Sequence, residues 1–249
     1  MPITRDASNE VALKFKGIAK FYGTAAALRG VDLEINGGEC FGLVGVNGAG
    51  KTTLIKCLLD FCDADAGTVE IFGFDHRLTA ARSRLAFLPE RFSPPYYLTG
   101  RDFLEFLLKL RGLSYEDTKA RAMLEALDLD PNCLSRSVRS YSKGMAQKLG
   151  LAGCFLTERD LYVLDEPTSG LDPKARALCK SLLRRLRSQG KTVFFTSHSL
   201  ADVAETCDRM AVAHDGRIFF VGPPSELKRK YDKEDLEQAF LCCIARPNE

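Results

Sequence analysis

The most constraining feature of the sequence is a glycine-rich segment at residues 45–52. It matches the pattern G-x-x-x-x-G-K-[ST] without a gap. The segment consists of Gly45, Val46, Asn47, Gly48, Ala49, Gly50, Lys51 and Thr52. The apolar run FGLVG precedes it and a helical pattern over residues 53–59 follows it, which is the strand–loop–helix order of phosphate-binding loops. We therefore predict a nucleotide-binding loop, the alternative being a turn that only closes a β–α unit.

Each part of this loop has a chemical role in the predicted site. Glycines let the backbone curl around phosphates, so that successive N–H groups and the positive end of the next helix face the anionic oxygens. Lys51 supplies a point charge, and Thr52 offers a hydroxyl to Mg²⁺, a hard cation that prefers oxygen ligands. We count Thr53 among the expected ATP contacts as well. The expected ligands are thus ATP and Mg²⁺.

Two carboxylates and a histidine follow further apolar runs. Asp165 and Glu166 stand where LYVLD ends, and His198 ends VFFTSH. In a parallel sheet this is the edge where ligands collect. Asp165 can hold Mg²⁺ through water, and Glu166 can polarise the attacking water. In isolation the acidic pair would more often be a solvated turn and the histidine a surface or core residue, but the phosphate loop favours the catalytic interpretation.

The pattern of strands and helices indicates the fold class. Short β-branched or aromatic runs alternate with helical patterns, which is typical of a parallel sheet with crossover helices. Strands are expected at residues 31–35, 41–45, 161–165 and 192–197, with FGLVG and LYVLD mid-sheet because they are almost wholly apolar. The shorter runs at 11–15 and 68–72 favour an antiparallel layer. We predict an α/β fold: a P-loop NTPase core with a mixed, largely parallel sheet, an antiparallel β edge layer and an inserted α-helical subdomain.

The domain organisation follows from where strand signals stop. The length of 249 residues suits one compact unit with a subdomain. Between residues 94 and 157 only helical patterns occur, at 102–110 and 115–127. The predicted division is a flexible N-terminus at 1–10, a core with its antiparallel layer at 11–93 and 158–222, a helical subdomain at 94–157, and a C-terminal helical tail at 223–249.

Charge, hydropathy and cysteine spacing exclude several classes. A formal charge of +2 from 35 basic and 33 acidic residues gives no strong field, so no nucleic-acid partner is expected. Neither a membrane-spanning run nor a secretion signal is apparent, and we expect the chain to stay in the cytosol. The nine cysteines lack CxxC spacing, and Cys57 and Cys154 lie in apolar stretches. We interpret the cysteines as structural rather than metal-binding or redox-active.

The phosphate loop, LDEPTSGLDP and TSH occur in an order and at spacings that identify a family resemblance. From about residue 11 to residue 222 the chain resembles the nucleotide-binding subunits of ATP-binding cassette (ABC) transporters. The resemblance implies that Tyr22, in KFYG, stacks on adenine and that Asp172 belongs to a dimer loop. It also places Glu90, in FLPERF, where the family usually has a glutamine that touches Mg²⁺ and the attacking water. Glu90 is therefore a catalytic and metal-ligand candidate.

The family's LSGGQ signature corresponds here to YSKGM at residues 141–145. Ser142 and Gly144 match it, whereas Lys143 and Met145 replace a glycine and a glutamine. Ser142 is a good N-cap, so a helix N-terminus able to meet an anion is expected here. In the family this signature faces the γ-phosphate held by the partner subunit. The resemblance thus implies a site shared between two chains, which we expect to be two copies of this one.

With Glu90 in FLPERF and with YSKGM in place of the signature, the chain resembles the branch of the family that serves type-2 (ABC-2) export permeases. This resemblance implies an ATP hydrolase, peripheral on the cytoplasmic face of the inner membrane, that energises export through separate permease subunits. A permease helix is expected to dock on Pro94, Pro95, Tyr96, Tyr97, Phe103 and Phe106, unless the two phenylalanines are subdomain core. The alternative function is a soluble ABC ATPase of a cytosolic assembly system such as iron–sulfur cluster scaffolding. A nucleotide sensor without turnover would require an idle Glu166.

Overall fold

A computed structural model describes residues 10–245 of the chain. The expected flexible N-terminus at residues 1–10 lies, except for Glu10, outside the described residues. The elements in chain order are β1 (Val11–Tyr22), β2 (Ala25–Asn36), β3 (Cys40–Val44), α1 (Lys51–Leu58), β4 (Ala66–Ile71), β5 (Phe74–Asp75), α2 (Thr79–Arg82), β6 (Leu85–Leu88), α3 (Gly100–Leu110), α4 (Asp117–Ala126), α5 (Lys143–Leu156), β7 (Leu161–Asp165), α6 (Pro173–Ser188), β8 (Thr192–Ser197), α7 (Leu200–Thr206), β9 (Arg209–His214), β10 (Arg217–Gly222), α8 (Pro224–Lys230) and α9 (Leu236–Ala245). Two short 3₁₀ helices, Pro131–Ser135 and Val138–Ser140, precede α5.

The larger sheet has the strand order β10-β9-β3-β8-β7-β6 across the described residues. Its strands run parallel except for β10, which pairs antiparallel with β9. Every residue of β3, β7 and β8 is buried, as the apolar sequences of β3 and β7 predict, and each of these strands has a neighbour on both sides. The α/β class and the mid-sheet positions of FGLVG and LYVLD are confirmed.

The smaller sheet is antiparallel in its order β2-β1-β4-β5. Alternate residues of β2 point inward, and they belong to one apolar cluster with side chains of α1 and of the larger sheet. The sequence suggested that the first strand ends near Phe15, but β1 continues to Tyr22. The reason is Gly17, whose φ of +62° lies within a register shift between β1 and β2, so this glycine forms a bulge instead of a strand end.

Helices α3, α4 and α5 fill the chain between β6 and β7, where the insert was predicted. Thr99 caps α3 in a reciprocal arrangement, since its Oγ1 accepts from the Asp102 N–H and the Asp102 carboxylate accepts from the Thr99 N–H. Phe103 is 7% exposed and contacts Phe92 edge-on with ring centroids 5.4 Å apart, whereas Phe106 is 53% exposed. Phe103 therefore belongs to the core of the helical subdomain, whereas Phe106 lies on the surface.

Several elements gave no clear signal in the sequence. The strands β6, β9 and β10 were not predicted from the sequence. Helices α8 and α9 occupy part of the predicted helical tail. Within residues 10–245 no helix is both long enough and apolar enough to span a membrane. The proposed domain boundaries stay a prediction.

Candidate active site

Four parallel strands end at one edge of the larger sheet, and the candidate residues follow them directly. The phosphate loop follows β3, Glu90 comes two residues after β6, Asp165 closes β7, and His198 follows β8. They open on a cavity of about 830 Å³. Its lining includes Tyr22, Gly45, Val46, Asn47, Gly48, Ala49, Gly50, Lys51, Thr52, Thr53, Glu90, Asp165, Glu166 and His198. Apart from Ser142, Gly144 and Asp172, every candidate residue thus lies at this cavity.

The loop has the backbone that a phosphate cradle requires. Gly48 and Gly50 have φ angles of +84° and +97°, in the left-handed region that favours glycine. A Cβ on Gly45 would come within 2.3 Å of the Ala213 carbonyl oxygen, so a side chain there would displace the loop. A Cβ on Gly48 would meet no atom within 4 Å, which leaves that side of the loop open to a ligand. Helix α1 begins at Lys51, and its first N–H groups belong to this loop.

The Lys51 side chain folds back along the loop. Its Nζ donates to the carbonyl oxygens of Gly45 at 2.6 Å and of Val46 at 3.3 Å. An ammonium has three protons, so one donor remains for an anion in the cavity. Burial lowers the pKa of Lys51 below its ordinary 10.5, while the carboxylates of Glu166, Asp165 and Glu90 oppose that effect.

The Asp165 carboxylate is held from two sides. Thr52 Oγ1 donates to Asp165 Oδ2 at 3.1 Å, and Thr196 Oγ1 donates to Asp165 Oδ1 at 2.5 Å. Thr52 and Asp165 therefore present a hydroxyl and a carboxylate at the same point of the cavity wall. Hard oxygen donors suit Mg²⁺, which in nucleotide sites takes few protein ligands and also binds phosphates and water. Across residues 10–245 no group of three or more His, Cys, Asp or Glu side chains is placed to hold a metal ion.

Glu166 and His198 form a direct side-chain contact. His198 Nδ1 lies 2.8 Å from Glu166 Oε2, and the His198 backbone N–H lies 3.4 Å from the same oxygen. An ionised carboxylate can only accept, so the imidazole donates through Nδ1–H. Glu166 has a φ of +50°, a strained conformation for a residue with a side chain, of the kind that concentrates at functional sites. The Glu166 N–H donates to Thr196 Oγ1 at 2.9 Å, which anchors this backbone.

Tyr22 stands at the exposed rim of the cavity. Its hydroxyl contacts Cys62 Sγ at 3.8 Å, and the Lys20 ammonium lies 5.6 Å from its ring centroid. The hydrogen bond to Cys62, followed by burial, raises the pKa of Tyr22. Since the ring is half exposed beside the phosphate loop, it is available to stack on a planar ligand.

The signature residues lie elsewhere. Ser142 caps α5 by accepting from the Met145 N–H at 3.2 Å, as expected, and Gly144 lies in the first turn. A Cβ on Gly144 would be 3.2 Å from the Gly170 carbonyl oxygen, so this turn packs closely on the loop after Glu166. Neither Ser142 nor Gly144 lines the cavity.

Asp172 also lies outside the cavity and caps α6. Its carboxylate accepts from the Ala175 N–H at 2.9 Å and lies 3.4 Å from Lys148 Nζ on α5. The hydrogen bond from Ala175 and the Lys148 charge hold the pKa of Asp172 below its usual value. Asp172 therefore links the start of α6 to the helix that carries the signature.

The structure adds residues to the site that the sequence did not single out. Thr196 contacts both Asp165 and Glu166, and Ala27, Ser169, Leu200 and Phe240 help to line the cavity. Thr196 lies two residues before His198, so the TSH motif carried a signal for it. Phe240 lies on α9, far along the chain, and no motif marked it.

Comparisons with known proteins give the family that the sequence motifs resemble. A family model described as "ABC transporter" matches residues 28–169. The Nod factor export ATP-binding protein I of Paraburkholderia xenovorans (strain LB400) is 36% identical over 222 residues, covering 88% of this chain and 73% of that protein. The daunorubicin resistance ATP-binding protein DrrA3 of Streptomyces coeruleorubidus is 38% identical over 223 residues, covering 88% of this chain and 70% of that protein.

Solved structures share the fold. A structure described as the ATP-binding subunit of an ABC transporter superimposes with a TM-score of 0.86 at 27% identity, covering 93% of this chain and 99% of that one. A dimeric ATP-binding cassette in a post-hydrolysis state, bound to ADP and Pi, superimposes with a TM-score of 0.78 at 22% identity over 85% of this chain and 98% of that one. At that identity the second likeness supports the fold alone.

Proposed function

Because this chain belongs to the ABC transporter family and is one of its ATPase subunits, we propose that it energises an ABC-2 type exporter through separate membrane permease subunits. The observation that carries the hydrolytic part is the contact of Glu166 with His198 beside the phosphate loop. The export part is supported by the curated relatives, which are named for Nod factor export and daunorubicin resistance. We favour export over a cytosolic assembly role for that reason.

In the proposed mechanism the loop binds and orients the triphosphate. Backbone N–H groups of the loop and the start of α1 face the phosphates, and the remaining Lys51 donor binds a phosphate oxygen. Tyr22 stacks on the adenine at the rim of the cavity. The Thr52 hydroxyl and the Asp165 carboxylate would hold Mg²⁺, which would supply positive charge to offset that of the phosphates.

Glu166 is the proposed general base. His198 Nδ1–H occupies Glu166 Oε2, which leaves Oε1 free to accept a proton from the attacking water. The other imidazole nitrogen of His198, on an exposed side chain, can then donate to the terminal phosphate when both ring nitrogens carry a proton. Glu90 lines the cavity as a third carboxylate, and we assign it to the Mg²⁺ and water side.

A second nucleotide-binding subunit is proposed to complete the site. Ser142 and Gly144 lie at a helix N-terminus that can bind an anion, but they do not line this chain's own cavity. We propose that they contact the ATP of a partner copy, with the loop that carries Asp172 between the two chains. The exposed Tyr96, Tyr97 and Phe106 are the proposed permease contact. This arrangement puts the chain on the cytoplasmic face of the membrane that holds the permease.

The test begins with Glu166→Gln, which keeps the shape of the side chain but removes the base. The wild-type chain should hydrolyse ATP with Mg²⁺, whereas the variant should bind ATP with similar affinity, lose turnover and elute as a dimer in ATP. Steady hydrolysis by the variant would refute the assignment of the base.

A test of the transport proposal requires the membrane partner. We expect its gene to lie beside the gene of this chain. It should encode a protein of about six membrane helices, each an apolar run of about 20 residues. The complex of this chain with the permease, purified together, should show ATPase activity. Phe106→Ser should break the link between that activity and the permease. Leu241→Ser is the matched control, because Leu241 is similarly exposed but lies on α9. An equal effect of both changes, or no complex at all, would contradict the proposal.

A further inference from the structure

Two thiols lie next to each other close to Tyr22, a residue at the rim of the cavity. Cys57 is on α1 and Cys62 follows that helix, and their Sγ atoms are 3.7 Å apart. The chain turns back after α1, because Asp60 adopts a φ of +61° and the Phe61 N–H donates to the Lys56 carbonyl at 2.9 Å. This turn brings two cysteines five residues apart into contact, although their spacing alone indicated structural cysteines.

The same pair is connected to the nucleotide site through Tyr22. Cys62 Sγ contacts the Tyr22 hydroxyl at 3.8 Å. Thr53 lies one turn before Cys57 on α1, and both Tyr22 and Thr53 line the cavity. Cys62 therefore touches Cys57 on one side and the proposed adenine platform on the other.

We propose that Cys57 and Cys62 form a reversible disulfide when the protein meets a hydroperoxide, and that this bond weakens ATP binding by releasing Tyr22. The effect on ATP rests on the proposed adenine contact of Tyr22, while formation of the bond does not. When Cys62 Sγ moves toward Cys57 to reach bonding distance, it leaves the Tyr22 hydroxyl. The Tyr22 hydroxyl then loses its contact with Cys62.

The chemistry balances with hydrogen peroxide as the oxidant. The Cys62 thiolate attacks the O–O bond, which gives a sulfenic acid on Cys62 and releases hydroxide. Cys57 sulfur then attacks Cys62 sulfur, the S–O bond breaks, and the Cys57 proton leaves with that oxygen as water. Overall two thiols and one peroxide give one disulfide and two waters, and the two sulfurs supply the two electrons.

The surroundings decide the order of these steps. Cys62 is partly exposed, whereas Cys57 is buried, and burial together with the Cys62 contact raises the pKa of Cys57 to about 12. Cys57 is thus a poor first nucleophile and acts as the resolving thiol. Lys20 and Asp65, ion-paired at 3.3 Å, are the charged groups beside the pair. Cys207 also interacts with Cys40, but Cys40 is fully buried and neither residue lines the cavity.

The experiment treats the purified full chain with hydrogen peroxide and measures both the bond and the affinity for ATP. Cleavage after Lys56 and Arg77 leaves both cysteines in one peptide, residues 57–77. In the oxidised wild type this peptide should be lighter by two hydrogens and should resist alkylation until dithiothreitol is added. The dissociation constant for ATP should rise about fivefold on oxidation and return on reduction, since the loss corresponds to roughly one hydrogen bond.

Three variants separate the parts of the proposal. Cys62→Ser should lose the response, and Cys242→Ser should keep it because Cys242 is a comparably exposed cysteine on α9. Tyr22→Phe should still form the disulfide, but its affinity for ATP should be the same in the oxidised and the reduced variant, because phenylalanine has no hydroxyl to release. A peptide that stays in the dithiol form would overturn the disulfide. A disulfide that leaves the ATP affinity of the wild type unchanged would overturn the link to Tyr22, and failure of the reduced wild type to bind ATP would instead refute the proposed function.

Discussion

Thr196→Val tests the inference that one buried hydroxyl positions both acidic residues of the site. The substitution keeps the shape of the side chain and its strand, and removes only the hydroxyl. Thr196 is fully buried, donates to Asp165 Oδ1 at 2.5 Å and accepts from the Glu166 N–H at 2.9 Å. Valine would therefore leave a carboxylate oxygen and a backbone N–H of two buried residues without these partners.

The expected magnitude follows from the two lost bonds. A hydrogen bond to a charged group contributes about 1.5–3 kcal/mol, and an unsatisfied buried N–H costs about 1–3 kcal/mol. We expect the free energy of unfolding to fall by about 3 kcal/mol. Because Glu166 is held in a strained conformation by the same contact, kcat should fall about tenfold to a hundredfold, the scale of small misplacements of a catalytic group.

The assay combines denaturant unfolding, ATP titration and steady-state hydrolysis. Thr192→Val is the matched control, because Thr192 is a buried threonine on the same strand whose Oγ1 accepts from the Gly38 N–H at 2.9 Å, away from the site. The control should lose about 1 kcal/mol of stability with kcat unchanged. If Thr196→Val unfolds like wild type and turns over at the wild-type rate, the positioning argument is wrong.

Three further predictions concern single side chains. Glu90→Gln should change kcat by less than about tenfold, or 1.4 kcal/mol, if Glu90 is only a metal-side ligand; a larger loss in the hydrolysis assay would indicate a closer role. Burial lowers the pKa of Lys51. ATP affinity, measured by titration, should therefore fall as the pH rises from neutral toward that lowered pKa, because the ammonium loses its proton there. An affinity that stays constant up to about pH 10 would contradict this prediction. Phe103→Ala should lower the free energy of unfolding by about 3–5 kcal/mol and Phe106→Ala by less than about 0.5 kcal/mol, because only Phe103 is buried; equal losses would show that the exposure difference is wrong.

Contiguous motifs made most of the site predictable. The phosphate loop depends on residues that are neighbours in the chain, and its flanking strand and helix are local as well. The acidic pair and His198 could be placed because parallel strands all end at the same edge of a sheet. The structure brings Gly45, Lys51, Asp165, Glu166 and His198 to one cavity, as these local signals predicted.

Features that depend on pairing across the fold could not be predicted in this way. The register that sets Thr196 opposite Asp165 decides which hydroxyl holds the acidic pair. Similarly, the turn after α1 decides that Cys57 and Cys62 touch, and the packing of α3 decides that Phe103 is buried while Phe106 is not.

The sequence by itself thus identified the phosphate-loop motif and the strand and helix around it, because a phosphate loop is built from consecutive residues. Only the tertiary structure decided how the loop's partners are held. Those contacts join residues far apart in the chain, such as Thr52 with Asp165 and Glu166 with His198, and their geometry depends on strand order and register. The role of the signature at Ser142 depends on the assembly of two chains, since its proposed ligand would be bound to another chain.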